Sequence, residues 1–183
     1  LIKWEYYPVA LAPDMKYDMD GCFSGSAIET DEGHMLVYTG VTHEENDGKK
    51  NEYQNQCVAL GDGKSYKKIE NNPAINGEIM PQNFSREHFR DPKVWKEDDG
   101  YYLVVGNKTN DGKPQVVLFH SKDMYDWRYV SVLAEDVTGK YGTMWECPDF
   151  FEINGQYILI ASPQDMCADD EFHNGNNSVY FIG

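Results

Sequence analysis

The chain has 183 residues and carries 16 Lys and Arg against 31 Asp and Glu, which gives a formal net charge of −15. This negative charge disfavours nucleic-acid backbones and anionic membrane surfaces as partners. No run of about 18 apolar residues occurs, so the sequence predicts no membrane-spanning helix. The aromatic content of 14% is typical of a strand-rich protein with one sizeable core.

The chain opens on Leu1 without an initiating Met or a signal peptide, so we expect a piece of a longer protein. Its cysteines form no C-x-x-C pair, and the five histidines share no metal-ligand spacing, so no metal or cofactor is predicted. We interpret the cysteines as reduced and mostly buried, which favours a cytoplasmic location. They are Cys22, Cys57, Cys147 and Cys167.

Three segments consist of a polar turn, a glycine and an apolar strand pattern: Gly33–Gly40, Gly100–Gly106 and Gly155–Ser162. Each is predicted to be the second strand of a hairpin. A third strand is predicted at Gln115–His120. The repeated pattern indicates an all-β fold.

A second marker recurs along the chain, an aromatic residue within a short polar-aromatic segment, at Trp4, Tyr66 and Trp127. These residues are 62 and 61 positions apart. A period near 60 residues leaves room for four short strands, the last of which we expect to end at the marker. For the first marker, Trp4, this outer strand would lie within Leu1–Tyr6.

Repeated four-stranded antiparallel units are typical of β-propeller blades, and the chain holds roughly three of them. Propellers close with about four to eight blades, so we expect the natural protein to continue at both ends. Open sheet edges in a three-blade arc also favour self-association into homo-oligomers. A β-sandwich of similar size is the alternative fold, but it does not require such a repeat.

Nine residues before each hairpin glycine stands a polar residue: Ser24, Asp91 and Glu146. The first strand of each propeller blade lines the central channel, so we expect these three side chains to surround one pocket. An alignment on the prolines that follow would instead pair Asp91 with Cys147, so the register is open by one residue.

The neighbours of these residues suit a sugar site. Arg90 offers a fork of donors for adjacent hydroxyls, and apolar ring faces are expected from Phe23, Phe89 and Trp145. For Arg90 and Asp91, the alternative is a local salt bridge that orders a turn.

Glu146 is the first catalytic candidate, because a carboxylic acid held against an aromatic ring and near Asp149 favours the protonated form that a general acid needs. The alternative is an ordinary surface acid at the end of a strand.

Three motifs resemble glycoside hydrolase family 32, the family of invertases, sucrose-6-phosphate hydrolases and fructan hydrolases. They are Phe23–Ser26 (FSGS), Arg90–Pro92 (RDP) and Glu146–Asp149 (ECPD). The resemblance implies a five-bladed β-propeller and a retaining double displacement on β-fructofuranosidic bonds of sucrose, sucrose 6-phosphate or fructans.

The same resemblance implies the site residues. Glu146 would be the general acid/base, and Asp91 would stabilise the transition state by binding fructose hydroxyls with the help of Arg90. Phe23 and Ser24 would line the fructose subsite.

One part of the family pattern is missing, because residues 1–183 contain no NDPNG-type motif with the nucleophilic Asp. We therefore interpret residues 1–183 as a partial catalytic propeller domain. The first blade with its nucleophile, the last blades and the C-terminal β-sandwich would lie outside it, and the fragment alone is expected to be inactive.

Two other functions fit the same architecture. One is an inverting five-bladed hydrolase of arabinan or xylan, and the other is a propeller that binds a small sugar without cleaving it. The sequence does not distinguish sucrose, sucrose 6-phosphate and fructans as substrates.

Overall fold

The computed structural model describes residues 3–183, which contain eleven strands in three antiparallel sheets. Sheet 1 comprises β1 (Gly21–Thr30), β2 (Gly33–Asn46), β3 (Lys49–Gly61) and β4 (Tyr66–Lys68). Sheet 2 comprises β5 (Phe84–Glu97), β6 (Gly100–Thr109), β7 (Pro114–Ser121) and β8 (Trp127–Glu135). Sheet 3 comprises β9 (Met144–Ile153), β10 (Gln156–Gln164) and β11 (Val179–Ile182).

The strands of each sheet are paired in chain order, with a two-residue hairpin turn between the first two. The first strands β1 and β5 contact each other, as do β5 and β9, so neighbouring sheets approach each other through their first strands. Three consecutive sheets arranged in this way are three propeller blades. The predicted all-β fold and its roughly three blades are therefore confirmed.

The strand β6 shows why the sheets are packed face to face. Leu103 and Val105 belong to the hydrophobic cluster between sheets 1 and 2, whereas Val104 belongs to the cluster between sheets 2 and 3. Since successive side chains of a strand point to opposite faces, β6 is covered on both sides and reads as a continuous apolar run. Each such buried side chain contributes roughly 1.5–3 kcal/mol.

The outer strands differ from the prediction in one respect. β4 and β8 begin at the aromatic markers Tyr66 and Trp127 rather than ending there. At the first marker, Leu1 and Ile2 lie outside the described residues, and residues 3–6 form no strand. Trp4 is 77% exposed, so its aromatic ring is not held by a sheet as the other two are.

The hairpin turns correct the register of the repeat. Gly33 and Gly100 are the first residues of β2 and β6, whereas Gly155 lies inside its turn and β10 begins at Gln156. Asn154 and Gly155 both have positive φ, 54° and 78°, as a two-residue Asn-Gly turn requires. Counting nine residues back from the hairpin glycine therefore misaligns sheet 3 with sheets 1 and 2 by one residue.

The structurally equivalent positions are Ser24, Asp91 and Cys147, each nine residues before the first residue of the second strand. The prediction that Glu146 is the repeat equivalent of Asp91 is thus wrong by one residue. The alignment on the prolines is the correct one, and the repeat equivalent of Glu146 is Arg90.

A buried ion pair attaches the irregular segment before β1 to sheet 1. Asp18 is fully buried, and its Oδ2 lies 2.6 Å from Lys68 Nζ of β4. The same oxygen accepts a hydrogen bond from the Tyr38 hydroxyl at 2.7 Å, and Oδ1 accepts one from the Met15 backbone at 3.0 Å. The Asp18 carboxylate therefore holds the segment through several donors, and Lys68 Nζ also contacts Asp14 Oδ1 of the same segment at 2.6 Å.

We expect Lys68→Met to lower the free energy of unfolding by about 3–5 kcal/mol, because it leaves the Asp18 carboxylate buried without its counter-charge. Lys67→Met is the matched control, since the Lys67 side chain is exposed on the same strand. Urea denaturation followed by tryptophan fluorescence measures both. Equal losses in the two variants would contradict the role assigned to the ion pair.

Candidate active site

A pocket of about 580 Å³ lies where the first strands of the three sheets meet. It contains five of the seven residues for which the sequence predicted catalysis or sugar binding, and five others. The complete lining is Cys22, Phe23, Ser24, Glu52, Gln54, His88, Arg90, Asp91, Glu146 and Cys147. The expectation that Ser24, Asp91 and Glu146 surround one pocket agrees with this geometry, although the register behind it was shifted.

A β-bulge interrupts each first strand at the pocket. The pairing shifts register around Ser24 in β1, between Arg90 and Lys93 in β5, and between Glu146 and Asp149 in β9. Such bulges bend a strand and redirect its side chains.

The bulges of β5 and β9 share one backbone feature, a residue with positive φ directly before a proline. Asp91 and Cys147 have φ values of 63° and 46°, and each precedes a proline. A left-handed conformation in a residue other than glycine costs on the order of 1–3 kcal/mol. This local strain is located in the pocket wall in both sheets.

Arg90 connects the three sheets through its guanidinium group. Its Nε donates to Glu146 Oε1 of sheet 3 at 2.8 Å, and its Nη1 donates to Gln54 Oε1 of sheet 1 at 3.3 Å. The side chains of Arg90 and Glu146 are only 11% and 28% exposed. Glu146 is therefore an organised member of the pocket rather than a surface acid.

Asp91 is buried and is fixed independently of Arg90. Its Oδ2 accepts from the Cys147 backbone N–H at 3.0 Å and from the Cys147 thiol at 3.6 Å. Its own backbone N–H donates to Thr39 Oγ1 at 3.1 Å. Among residues 3–183, Arg90 forms its ion pair with Glu146 and none with Asp91, so the alternative of a local Arg90–Asp91 salt bridge is wrong.

The expected apolar faces are only partly present. Phe23 is 43% exposed and lines the pocket, beside the exposed Ser24. Phe89 and Trp145 are 0% and 1% exposed and belong to the two hydrophobic clusters. Each precedes a pocket residue in its strand, so its ring points to the opposite face, into the core.

Three polar residues of the pocket were missed by sequence reasoning: Glu52, Gln54 and His88. Gln54 is 2% exposed and donates from Nε2 to Glu52 Oε1 at 2.6 Å. Its Oε1 accepts from the Phe89 backbone at 2.8 Å as well as from Arg90. The available signal was the alternation of polar residues along β3, since a buried polar side chain in a core strand is informative.

His88 is half-buried beside Arg90, with Arg90 Nη1 3.4 Å from His88 Nδ1. Burial, and then the positive charges of Lys108 and Arg90, lower the pKa of His88. His88 is therefore neutral at neutral pH, and its Nδ1 can accept a hydrogen bond from Arg90.

All four cysteines are free thiols. Cys57 is buried and Cys22 is half-buried, but Cys147 and Cys167 are exposed, so the expectation of mostly buried cysteines is wrong for two of the four. Although Cys147 reaches solvent, partial burial of its thiol and then the nearby Asp91 carboxylate raise the pKa of Cys147 to about 11.

Within residues 3–183 there is no group of three or more His, Cys, Asp and Glu side chains that could hold a metal ion. In the same part of the chain, no helix is long and apolar enough to cross a membrane. The chemistry that the pocket itself offers is that of carboxylates, a guanidinium group and a neutral imidazole.

A family model described as "Glycosyl hydrolases family 32 N-terminal domain" matches residues 1–183. The chain belongs to glycosyl hydrolase family 32. The resemblance found in the three sequence motifs is thereby confirmed.

The relatives of this family 32 chain are longer than the chain itself. Sucrose-6-phosphate hydrolase of Bacillus subtilis is 37% identical over 190 residues, which cover 100% of this chain and 37% of that protein. The chain therefore spans a little over a third of the length of this curated relative.

Solved family 32 structures share the fold. The β-fructofuranosidase of Bombyx mori superposes with a TM-score of 0.84 at 38% identity, covering 98% of this chain and 37% of that one. Sucrose-6-phosphate hydrolase of Lactobacillus gasseri superposes with a TM-score of 0.78 at 30% identity, covering 98% and 36%.

The raised pKa of Cys147 predicts slow alkylation, because the thiolate is the reactive form. We expect iodoacetamide at pH 8 to modify the exposed Cys167 well before Cys147, and the rate at Cys147 to rise toward a midpoint near pH 11. Peptide mapping by mass spectrometry measures both sites in one sample. Modification of Cys147 as fast as Cys167 at pH 8 would contradict the raised pKa that burial of the thiol and the Asp91 carboxylate produce.

Proposed function

We propose that residues 1–183 provide the acid/base and the fructose-binding part of a retaining β-fructofuranosidase. The observation that supports this function best is the pairing of Glu146 with Arg90 beside the buried Asp91, in one pocket lined by Phe23 and Ser24. Retaining hydrolysis requires an acid/base carboxyl group and a nucleophilic carboxylate. This pocket supplies a candidate for the first of them, beside a second carboxylate and a multi-donor side chain suited to sugar hydroxyls.

Glu146 is the proposed general acid/base. Arg90 Nε holds its Oε1, and within the described residues Oε2 has no hydrogen-bond donor, so we assign proton transfer to Oε2. In the first step the acid protonates the glycosidic oxygen as the bond to fructosyl C2 breaks and a carboxylate attacks C2. In the second step Glu146 takes a proton from the water that releases fructose.

Asp91 is the proposed transition-state stabiliser. Its Oδ2 is engaged by Cys147, and among residues 3–183 its Oδ1 has no hydrogen-bond donor. Oδ1 is thus the oxygen that we assign to a fructose hydroxyl. Because Asp91 is buried and held from two sides, it can accept such a hydrogen bond without losing conformational freedom.

The nucleophilic carboxylate of a retaining enzyme stands about 5 Å from the acid. We propose that it comes from a segment outside residues 1–183, because the NDPNG-type motif of the family does not occur in them. The domain assignment follows: a partial catalytic propeller whose first blade, last blades and C-terminal β-sandwich belong to the rest of a longer protein. Assays therefore require the complete protein.

The proposed substrate is a small sugar with a β-fructofuranosyl group. Similarity to an enzyme named sucrose-6-phosphate hydrolase and to a β-fructofuranosidase, a variant of which was solved in complex with sucrose, supports sucrose and its 6-phosphate.

We expect Glu146→Gln in the complete protein to lower kcat for sucrose by about 10²–10⁴-fold, because the amide cannot transfer the proton. Asp149→Asn is the matched control. Asp149 lies in the same motif, but it is 43% exposed and pairs with Lys93 at 2.9 Å. Release of glucose measures both variants, and unchanged hydrolysis by Glu146→Gln would refute the acid/base role. Absence of hydrolysis by the unsubstituted complete protein would favour a propeller that only binds sugar.

The stereochemistry of the product separates a retaining fructosidase from an inverting arabinan or xylan hydrolase with the same architecture. We expect β-fructofuranose to be the first anomer released from sucrose, as two displacements at C2 require. Proton or carbon NMR during the first minutes of the reaction identifies it. The opposite anomer would rule out the covalent mechanism.

A further inference from the structure

The hairpin formed by β2 and β3 extends past the rest of sheet 1. β1 pairs with β2 only as far as Val41, whereas β2 and β3 stay paired up to Asn46 and Lys49. We call this extension, residues 42–53, the hairpin arm. Its residue Glu52 lines the candidate active site, although it belongs to none of the three sequence motifs.

The hairpin arm is held from two sides. Asp20, just before β1, accepts a hydrogen bond from the His43 backbone N–H at 2.8 Å, and its Oδ2 lies 3.1 Å from His43 Nδ1. Towards sheet 2, the centre of the Tyr53 ring lies 4.8 Å from the Arg86 guanidinium group. The arm is therefore fixed relative to both sheets.

His43 and Glu52 are opposite each other in the two strands of the arm. His43 Nε2 lies 3.4 Å from Glu52 Oε2, so the imidazole ring stands between the carboxylates of Asp20 and Glu52. A neutral imidazole can donate to one of them, and an imidazolium can donate to both. The ring contacts Glu52 through Oε2 and leaves Oε1 for Gln54.

Glu52 Oε1 sets the orientation of the buried Gln54 amide. Gln54 Nε2 donates to Glu52 Oε1 at 2.6 Å. At the other end of the amide, Gln54 Oε1 accepts from the Phe89 backbone N–H at 2.8 Å and from Arg90 Nη1 at 3.3 Å. A reversed amide would place its oxygen against a carboxylate and its N–H groups against two donors, so only this orientation satisfies all the partners.

The series of hydrogen bonds ends at the proposed general acid/base. Arg90 Nε donates to Glu146 Oε1 at 2.8 Å. Because a guanidinium group is planar and rigid, the contact of Nη1 with Gln54 also fixes the direction of Nε. Loss of that contact would let the Glu146 carboxylate rotate, and Oε2 would leave the position from which it transfers the proton. Proton transfer depends on such alignment to a fraction of an ångström.

We propose that Glu52 is a positioning residue for the acid/base. Through Gln54 it holds Arg90, and thereby Glu146, in the orientation needed to protonate the leaving sugar. Glu52 itself exchanges no proton with the substrate. The proposal rests on the proposed function, because it takes Glu146 as the acid.

The test compares kcat/KM of the complete protein for two substrates that differ in their need for an acid. The glucosyl group of sucrose must be protonated as it leaves, whereas the nitrophenolate of 4-nitrophenyl β-fructofuranoside leaves without a proton. We expect Glu52→Ala to lower the ratio of kcat/KM for sucrose to that for the aryl fructoside by about tenfold, as loss of a hydrogen bond in a charged network does. Both substrates are assayed on the same sample, so a loss of folded protein cancels in the ratio.

Glu52→Gln is the rescue variant, because its amide oxygen can still accept from Gln54 Nε2. It should restore most of the ratio. Glu44→Ala is the control, since Glu44 is exposed on the same arm and follows His43 directly, so that it points to the opposite face. Its ratio should match that of the unsubstituted protein.

Three outcomes would overturn the proposal. One is an equal loss for both substrates in Glu52→Ala, which would indicate a general effect on binding or folding. The second is a ratio in Glu52→Gln as low as in Glu52→Ala, which would assign the effect to the charge instead of the hydrogen bond. The third is a ratio in Glu44→Ala that falls as far as in Glu52→Ala.

Glu146→Gln separates failure of this proposal from failure of the proposed function. It should lower the ratio further than Glu52→Ala, because the amide cannot act as the acid. If Glu146→Gln lowers the ratio while Glu52→Ala keeps it, the acid/base assignment stands and the positioning role is refuted. If Glu146→Gln leaves the ratio unchanged, the acid/base assignment fails, and the positioning role fails with it.

Discussion

The ion pair between Arg90 and Glu146 is the contact on which the pocket depends, because Arg90 also donates to Gln54 and so joins all three sheets. Removing one member of a largely buried ion pair leaves a charge without compensation. Each of the three side chains comes from a different blade, so the site exists only when the blades are packed against each other. The geometry of the pocket and the packing of the blades are therefore the same structural property in this protein.

The strand-level fold could be predicted from the sequence, because hairpin glycines and apolar alternation are local signals. The alignment of the third repeat with the first two was mispredicted by one residue. Gly155 lies within its Asn-Gly turn, whereas Gly33 and Gly100 follow their turns and begin a strand. The segment around Trp4 was mispredicted for a different reason. An aromatic residue alone does not create a strand, and no neighbouring strand pairs with residues 3–6.

The sequence predicted the site residues that belong to short motifs. It missed the residues that only the tertiary structure brings into the pocket. Phe89 and Trp145 were assigned to the pocket because they adjoin pocket residues in sequence, but strand alternation turns them into the core. Gln54 and His88 were not assigned, because neither belongs to a recognised motif and both reach the pocket only through the packing of the sheets against each other. The polar alternation along β3 marks Gln54 as unusual, but a single sequence does not specify which strands pack beside it.

The bulges before Pro92 and Pro148 also restrict how the length of this chain can change. In β5, a one-residue insertion or deletion between Asp91 and the hairpin turn would move every following side chain to the opposite sheet face. The core residue Val94 would then exchange places with a neighbour that faces the other way. Between sheets, by contrast, a longer loop costs only about 0.6 kcal/mol for each doubling of its length. The fold should therefore tolerate insertions and deletions only in the connections between blades. The number of residues between each bulge and its hairpin turn should stay constant.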